Sequence, residues 1–316
     1  MLAEAAPLTE GQYQHLFSRF VDQYQKKYEL AQFFERYNIF KSNLDYIVAH
    51  NLRADKSYTL AMNQFGDLTT EEFSRKYLQS ASSNTETSVA QLHNGLVNSA
   101  DIPERVDWRE KGAVTPVVDQ GECSAGYAFS TAGAIEGATF IKTNKLIALS
   151  KQQIIDCSGS FGNRGCQGGT AIGALQYISW WGSIYHEDCY PYLGKDQHYC
   201  NAGCPESRTL IDGFARLNGT EAGLKQAVAS TPISVFVDAE SRDFRFYSGG
   251  LYDGPCSKSV NHGALVVGYG TTVFDTQYWI LKNSWGLSWG EQGYMRLIGG
   301  SNVCGIANNA TIVYAK

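Results

Sequence analysis

The stretch "QGECSAGYAFSTAGAIEGATFIKTN", Gln120 to Asn144, decides how the chain is read. From Gly126 onward its Phe129, Ala132, Ile135 and Ala138 recur at helical spacing and can face a core. Gly133 and Gly137 lack side chains, so they permit another element to pack close against the helix. After about residue 205 the pattern turns strand-like, in "PISVFVDA", "HGALVVGYG" and "YWILKNSW". A helical half followed by a strand-rich half predicts an α+β fold of two subdomains with a cleft between them. No internal repeat is present.

The first hundred residues read as mostly helical. Thr9 and Gln12 form a capping-box pattern ahead of Tyr13, Leu16, Phe17, Phe20, Val21 and Tyr24. A second helix runs through "FFERYNIFKSNLDYIVAHN", with Phe33, Tyr37, Phe40, Leu44, Ile47 and Asn51 along one side. Both apolar faces are too wide for solvated helices and must pack on each other or on a partner. "QSASSNTETSVAQLHNGLVNSA", Gln79 to Ala100, is polar and aperiodic, and reads as an extended linker open to proteases. The expected division is therefore 1–101, helical over about 8–78 with a linker at 79–101, followed by 102–316.

Composition narrows the function classes. The chain has 316 residues, 43% of them hydrophobic, enough for a sizeable core. Residues 1–101 carry 9 basic and 12 acidic residues, and the remainder 17 and 19, so no nucleic-acid partner is expected. No apolar run approaches membrane-spanning length, and no membrane partner is expected. The start "MLAEAAPLTEG" has neither a positive segment nor an apolar one, so no signal peptide is visible. All eight cysteines lie beyond residue 101, which points to an oxidising compartment. There is no CxxC pair, and His186 and His198 lack ligand spacing, so no metal is expected. His15, His50 and His93 also stand outside any motif and read, like those two, as surface or structural residues. Sequons at Asn218 and Asn309 fit a secretory route.

Several motifs together carry a family resemblance. "IPERVDWREKGAVTPVVDQGEC", "CQGGT", "NHGALVVGYG", "YWILKNSWGLSWGEQGYMRL" and "VCGIA" stand in the order and approximate spacing of a papain-family cysteine protease. Upstream, Arg36, Ile39, Phe40, Asn43, Ile47 and Asn51 resemble the ERFNIN pattern of cathepsin L-like propeptides, with Gln32 in place of its first glutamate. Asn63, Phe65 and Asp67 of "AMNQFGD" resemble the second propeptide motif, with Ala61 where glycine is usual. The resemblance implies a papain-like fold with a helical left half and a β-barrel-like right half, behind an inhibitory propeptide.

It also assigns roles to single positions. Cys123-Ser124-Ala125-Gly126-Tyr127 overlays the signature C-G-[SA]-C-[WY], so Gly126 stands where the nucleophilic cysteine is expected. His262 follows by 136 residues and Asn283 by 157. In the family's chemistry a thiol at a helix N-terminus ionises beside the His262 imidazolium, which then protonates the leaving amine. Asn283 would orient the imidazole, Trp285 would shield that bond, and Gln120 with the N–H of residue 126 would hold the oxyanion. Gly168 and Gly169 would admit a peptide backbone, with Thr170, Ala171, Phe236, Val260, Gly263 and Asn309 around an apolar subsite. Asn309 would then sit near the subsite floor, leaving Asn218 as the glycosylation candidate. By resemblance Cys123 pairs with Cys166, Cys157 with Cys200 and Cys256 with Cys304, leaving Cys189 and Cys204 for a fourth bridge.

The expected function is that of a lysosomal, vacuolar or secreted cysteine endopeptidase zymogen that hydrolyses peptide bonds through an acyl-enzyme and is inactive here for want of a nucleophile. Two origins stay open: a glycine introduced into such a zymogen, or a natural non-catalytic homologue serving binding, storage or defence. A minor third reading makes the propeptide an inhibitor in trans. Expected partners are the propeptide itself, peptide substrates and protein inhibitors of cysteine proteases, with no cofactor, for a monomer. Acid is expected to release the propeptide.

Overall fold

The computed structural model describes residues 8–79, 101–201, 203 and 207–316. All but the ends of the expected linker therefore lies outside the described residues. Helix α1 (Glu10–Gln23) starts where the sequence predicts, with the Thr9 side chain accepting from the Gln12 N–H and the Gln12 side chain from the Thr9 N–H. Helix α2 (Leu30–Asn51) packs Tyr37 and Phe40 onto Tyr13, Phe17 and Phe20 in a small aromatic core. Phe33, expected on that buried side, is exposed at the start of α2 and meets Phe17 and Tyr28 edge-on. Strand β1 (Tyr58–Leu60) and helix α3 (Thr70–Tyr77) follow, α3 opening on a second capping box between Thr69 and Glu72.

After β2 (Val106–Asp107) come three helices, α4 (Gly126–Thr143), α5 (Lys151–Cys157) and α6 (Ala171–Trp181), then a short ribbon of β3 (Ile184–Tyr185) and β4 (Arg208–Thr209). The sheet is built by β5 (Ile211–Arg216), β6 (Ile233–Val237), β7 (Tyr247–Tyr252), β8 (His262–Thr271), β9 (Gln277–Lys282), β10 (Tyr294–Ile298) and β11 (Thr311–Ala315). Helices α7 (Glu221–Val228) and α8 (Arg242–Phe246) interrupt that run. The strand order is β1-β7-β10-β9-β8-β6-β11-β5, with β2 added to β8. The expected barrel-like half is thus a papain-like sheet that does not close: β1 and β5 stand at opposite ends of the path.

Helix α4 is buried on almost every side rather than along one stripe, because the sheet covers one flank and α5 and α6 cover another. Its glycines make the fit possible. A Cβ on Gly133 would fall 2.8 Å from Leu265 Cδ2, and one on Gly137 would fall 2.5 Å from Pro232 Cγ. Disulfides join Cys123 to Cys166, Cys157 to Cys200 and Cys256 to Cys304. Cys189 is also disulfide-bonded, and Cys204 lies outside the described residues.

The first hundred residues are part of the same body. Strand β1 pairs antiparallel with β7, and Phe65, Phe73, Tyr77 and Leu78 enter the core that holds Trp285 and Trp289. Asn43 is the polar junction. Its Nδ2 donates to the carbonyls of Gly66 (2.8 Å) and Leu68 (3.1 Å), while its Oδ1 accepts from Arg242 (2.7 Å) and Arg245 (3.2 Å). Arg245 also donates to the Leu68 and Thr69 carbonyls. Asp243, buried between them in α8, accepts from the Tyr46 and Tyr58 hydroxyls, with His50 Nδ1 3.7 Å away. Because Asn43 satisfies buried groups on both sides of the seam, Asn43→Ala should lower stability by about 2–4 kcal/mol. Urea unfolding measures this, and faster hydrogen exchange in α2 and α3 should accompany it.

Candidate active site

His262 opens β8 and Asn283 follows the last residue of the neighbouring β9, so two antiparallel strands bring them together. His262 Nε2 donates to Asn283 Oδ1 at 2.8 Å. The same oxygen accepts the Ser284 N–H at 2.7 Å, which fixes which end of the amide faces the ring. The proton then sits on Nε2, and Nδ1 presents a lone pair. Trp285 lies over this pair, its ring 4.7 Å from that of His262, and is itself edge-on to Phe65 and Phe73. Burial holds the His262 imidazole down to about 4, against the opposing effect of its bond to Asn283. Burial therefore disfavours, in this glycine chain, the imidazolium that the family's chemistry pairs with a thiolate. A buried imidazolium needs an anion beside it, and residue 126 supplies none.

Gly126 is the first residue of α4. A Cβ there would lie 2.9 Å from His262 Nδ1, 2.8 Å from His262 Cε1 and 2.7 Å from the Gly263 carbonyl oxygen. From the other side, a Cβ on Gly263 would meet the Gly126 carbonyl carbon and the Tyr127 nitrogen at 2.6 Å each. The two glycines thus pack backbone on backbone. Gln120 stands beside them, held by its Oε1, which accepts from Ser284 Oγ at 2.6 Å, and by its backbone N–H on the Ser284 carbonyl at 2.8 Å. Its Nε2 donates to the carbonyls of Cys123 (2.8 Å) and Tyr77 (3.1 Å).

That last contact belongs to a segment crossing the cleft. Ser124 Oγ donates to the Leu78 carbonyl at 2.9 Å, the Gln79 N–H to the Asn261 carbonyl at 3.0 Å, and the Gly169 N–H to Gln79 Oε1 at 3.0 Å. Gly168, at φ +106°, has no room for a side chain because Gln79 Cβ lies against it. Residues 77–79 therefore bridge the helical wall (Ser124, Gly169) and the strand wall (Asn261). The sequence singled out Ser124 only as a departure from glycine, and did not single out Tyr77, Leu78 or Asn261. The Thr69–Glu72 capping box was the one legible signal that a helix delivers this segment.

The expected subsite residues are spread over both walls. Phe236 and Gly263 are register partners in β6 and β8, while Thr170 caps α6 and Ala171 is buried in its first turn. Val260 lies against Gly305, and the Asn309 amide oxygen accepts from Arg216 of β5. Asn218 is exposed, its Oδ1 accepting from the Thr220 hydroxyl at 2.8 Å.

Two outcomes follow from the geometry. Gly126→Ala should destabilise the chain by about 1–3 kcal/mol in urea unfolding, because the Gly263 carbonyl cannot swing aside as a side chain can. Second, the unfolded chain takes up a proton on His262 near its ordinary value of 6.5, whereas the folded chain refuses it until about 4. Stability should fall as pH drops from about 6.5 to about 4, and His262→Gln should flatten that limb of a melting-temperature profile.

Residues 102–314 match the papain family cysteine protease family, and residues 17–73 match the cathepsin propeptide inhibitor domain. Among curated relatives, vignain of Phaseolus vulgaris is 41% identical over 302 residues, covering 92% of this chain and 83% of its own. A thiol protease aleurain-like protein of Arabidopsis thaliana is 41% identical over 94% of this chain and 84% of its own. The proform of the ragweed pollen allergen Amb a 11 superposes with a TM-score of 0.88 at 34% identity, covering 98% of this chain and 96% of that one. Digestive procathepsin L 3 of Tenebrio molitor gives 0.85 at 39%, covering 96% and 99%. The chain belongs to the papain family of cysteine proteases and carries that family's propeptide domain.

Proposed function

We propose that this chain is a zymogen-type papain-family protein that holds a peptide in its cleft and does not cut it. The observation that carries this reading is Gly126 beside the His262–Asn283 pair, with residues 77–79 lying across the cleft. In a protein with cysteine at 126, the thiolate would attack the scissile carbonyl, Gln120 and the N–H of residue 126 would hold the oxyanion, and His262 would protonate the leaving amine. Glycine keeps the N–H and removes the sulfur. No acyl-enzyme can form on a residue that ends at Cα.

On this reading residues 1–101 are the inhibitory propeptide of a peptidase domain spanning 102–316, made for a lysosomal, vacuolar or extracellular setting and open to glycosylation at Asn218. The parent activity is that of a cysteine endopeptidase with an apolar subsite formed by Thr170, Ala171, Phe236, Val260, Gly263 and Asn309. Acid loosens the propeptide in two steps. The first is the loss of stability between about pH 6.5 and about 4 described above, ending when the folded chain protonates His262 near 4. The second involves Glu72, whose carboxyl the Arg36 guanidinium holds down to about 2 from an ordinary 4.5. The stability that this pair adds is present above about pH 4.5 and is lost as pH falls toward 2.

The crowding at residue 126 favours a second reading, in which the non-catalytic state is the natural one and the protein serves binding, storage or defence. One experiment tests the proposal and weighs the two origins. The chain is held at pH 4–5 with a peptide substrate, alongside Gly126→Cys, and both propeptide loss and cleavage are followed by mass spectrometry. The unaltered chain should remain full length and leave the peptide intact; cleavage that vanishes in His262→Ala would overturn the proposal. Robust activity in Gly126→Cys supports a substituted endopeptidase, and a folded but inactive variant supports the natural binding protein.

A further inference from the structure

Between β5 and α7 the chain makes a short turn, Leu217-Asn218-Gly219-Thr220. Both ends of it are anchored. The Leu217 N–H donates to the Ala310 carbonyl at 2.9 Å, and Thr220 caps α7 by accepting the Gly223 N–H at 3.1 Å. The middle is free. Asn218 is exposed, and among the described residues neither its Nδ2 nor the Gly219 N–H donates a hydrogen bond. Gly219 holds φ at +76°, a value that glycine adopts without strain. A Cβ there would meet nothing nearer than the Ala307 carbonyl oxygen at 4.0 Å, so the turn is open on that side.

A second feature is the Asn218 amide oxygen. It accepts from both donors of Thr220, the hydroxyl at 2.8 Å and the backbone N–H at 3.2 Å. A Cβ on Gly223 would fall 2.4 Å from the same oxygen, which therefore rests against the first turn of α7. Two donors aimed at one carbonyl oxygen stabilise the negative charge that gathers there when a nucleophile adds to its carbon. The nucleophile at hand is the backbone nitrogen of Gly219, which closes a five-membered ring on Asn218 Cγ and has no neighbouring side chain to obstruct it. No other asparagine among the described residues is followed by glycine.

We propose that Asn218-Gly219 is a self-modification site, where the asparagine amide is converted to aspartate and isoaspartate by the chain itself. The Gly219 nitrogen bonds to Asn218 Cγ, the Cγ–Nδ2 bond breaks, and Nδ2 leaves as ammonia, carrying away the Gly219 amide proton. Water then opens the succinimide at either of its two carbonyls, its hydroxyl going to the carbon and its hydrogen to the Gly219 nitrogen. The product adds one negative charge to a chain of formal net charge −5 and erases the sequon. A sugar attached at Nδ2 occupies the nitrogen that has to leave. Glycosylation and this reaction are thus alternative fates of one side chain, and neither depends on what stands at residue 126.

The test uses the full chain, made in a host that adds no glycan and held folded at pH 8 for some days. Cleavage after Arg216 and Lys225 then releases the 217–225 peptide, whose amide, aspartate and isoaspartate forms are separated by chromatography and identified by mass spectrometry. The folded chain should accumulate both acids. Thr220→Val should slow the conversion about fivefold, the worth of one ordinary hydrogen bond, and Thr220→Ser should restore it. In urea, where the turn is lost, Thr220→Val and the unaltered chain should convert alike. An amide that survives in the folded chain but not in urea overturns the proposal. So does aspartate without isoaspartate, the mark of direct hydrolysis, or a folded Thr220→Val chain that converts as fast as the unaltered one.

Discussion

The structure depends on how closely the small face of α4 can approach the sheet. Gly126, Gly133 and Gly137 lie along one flank of the helix and meet Gly263, Leu265 and Pro232 in turn. Ser130, on the same flank, accepts a hydrogen bond from Ser234 of β6 at 2.8 Å. A side chain at Gly137 would meet the rigid Pro232 ring at 2.5 Å, whereas the Leu265 side chain beside Gly133 could give way. The cleft lies at the end of this seam, so its width follows from the same contact. His262 and Asn283 sit on the sheet, while Gln120 and Ser124 precede the helix.

The propeptide domain uses the seam without forming it. Its aromatic residues Phe65 and Phe73 pack against Trp285, and Trp285 in turn covers the His262–Asn283 bond. Gln64 reaches further, its Nε2 donating to the Trp285 carbonyl at 2.6 Å and its Oε1 accepting from Ser288. The same loop that shields the imidazole is thus held by the propeptide. Burying His262 beneath this stack removes water from the imidazole and keeps it neutral. Electrostatics at the site and docking of the first hundred residues are coupled through one tryptophan.

Much of this was legible in the chain because the chemistry is written in residue type and order. The α1 capping box, the helix from Gly126, the strand runs after residue 205 and the sequence neighbours of His262 and Asn283 all rest on local patterns. Other features were not legible, and each involves a distant partner. Asp243, Arg242 and Arg245 occur in the short run "SRDFRF", with nothing nearby to mark them as the receiver of Tyr46, Tyr58 and Asn43. Phe33 satisfies the helical period and still faces solvent, because periodicity cannot tell where a neighbouring helix stops. The fold class was legible, but that the barrel-like sheet stays open was not, since closure depends on strands that are far apart in sequence.

The sequence by itself determined the family, the order of helices before strands, and the presence of a glycine at the one position where the family's chemistry needs a thiol. These follow from residue identity, which the chain carries explicitly. Only the tertiary structure decided that His262 is neutral, that Gly126 and Gly263 fill the space between them, and that Ser124, Gln120 and Gly169 are spent on residues 77–79. Those depend on burial and on distances of a few ångströms between segments more than forty residues apart. Such distances arise only when the two halves and the propeptide pack together.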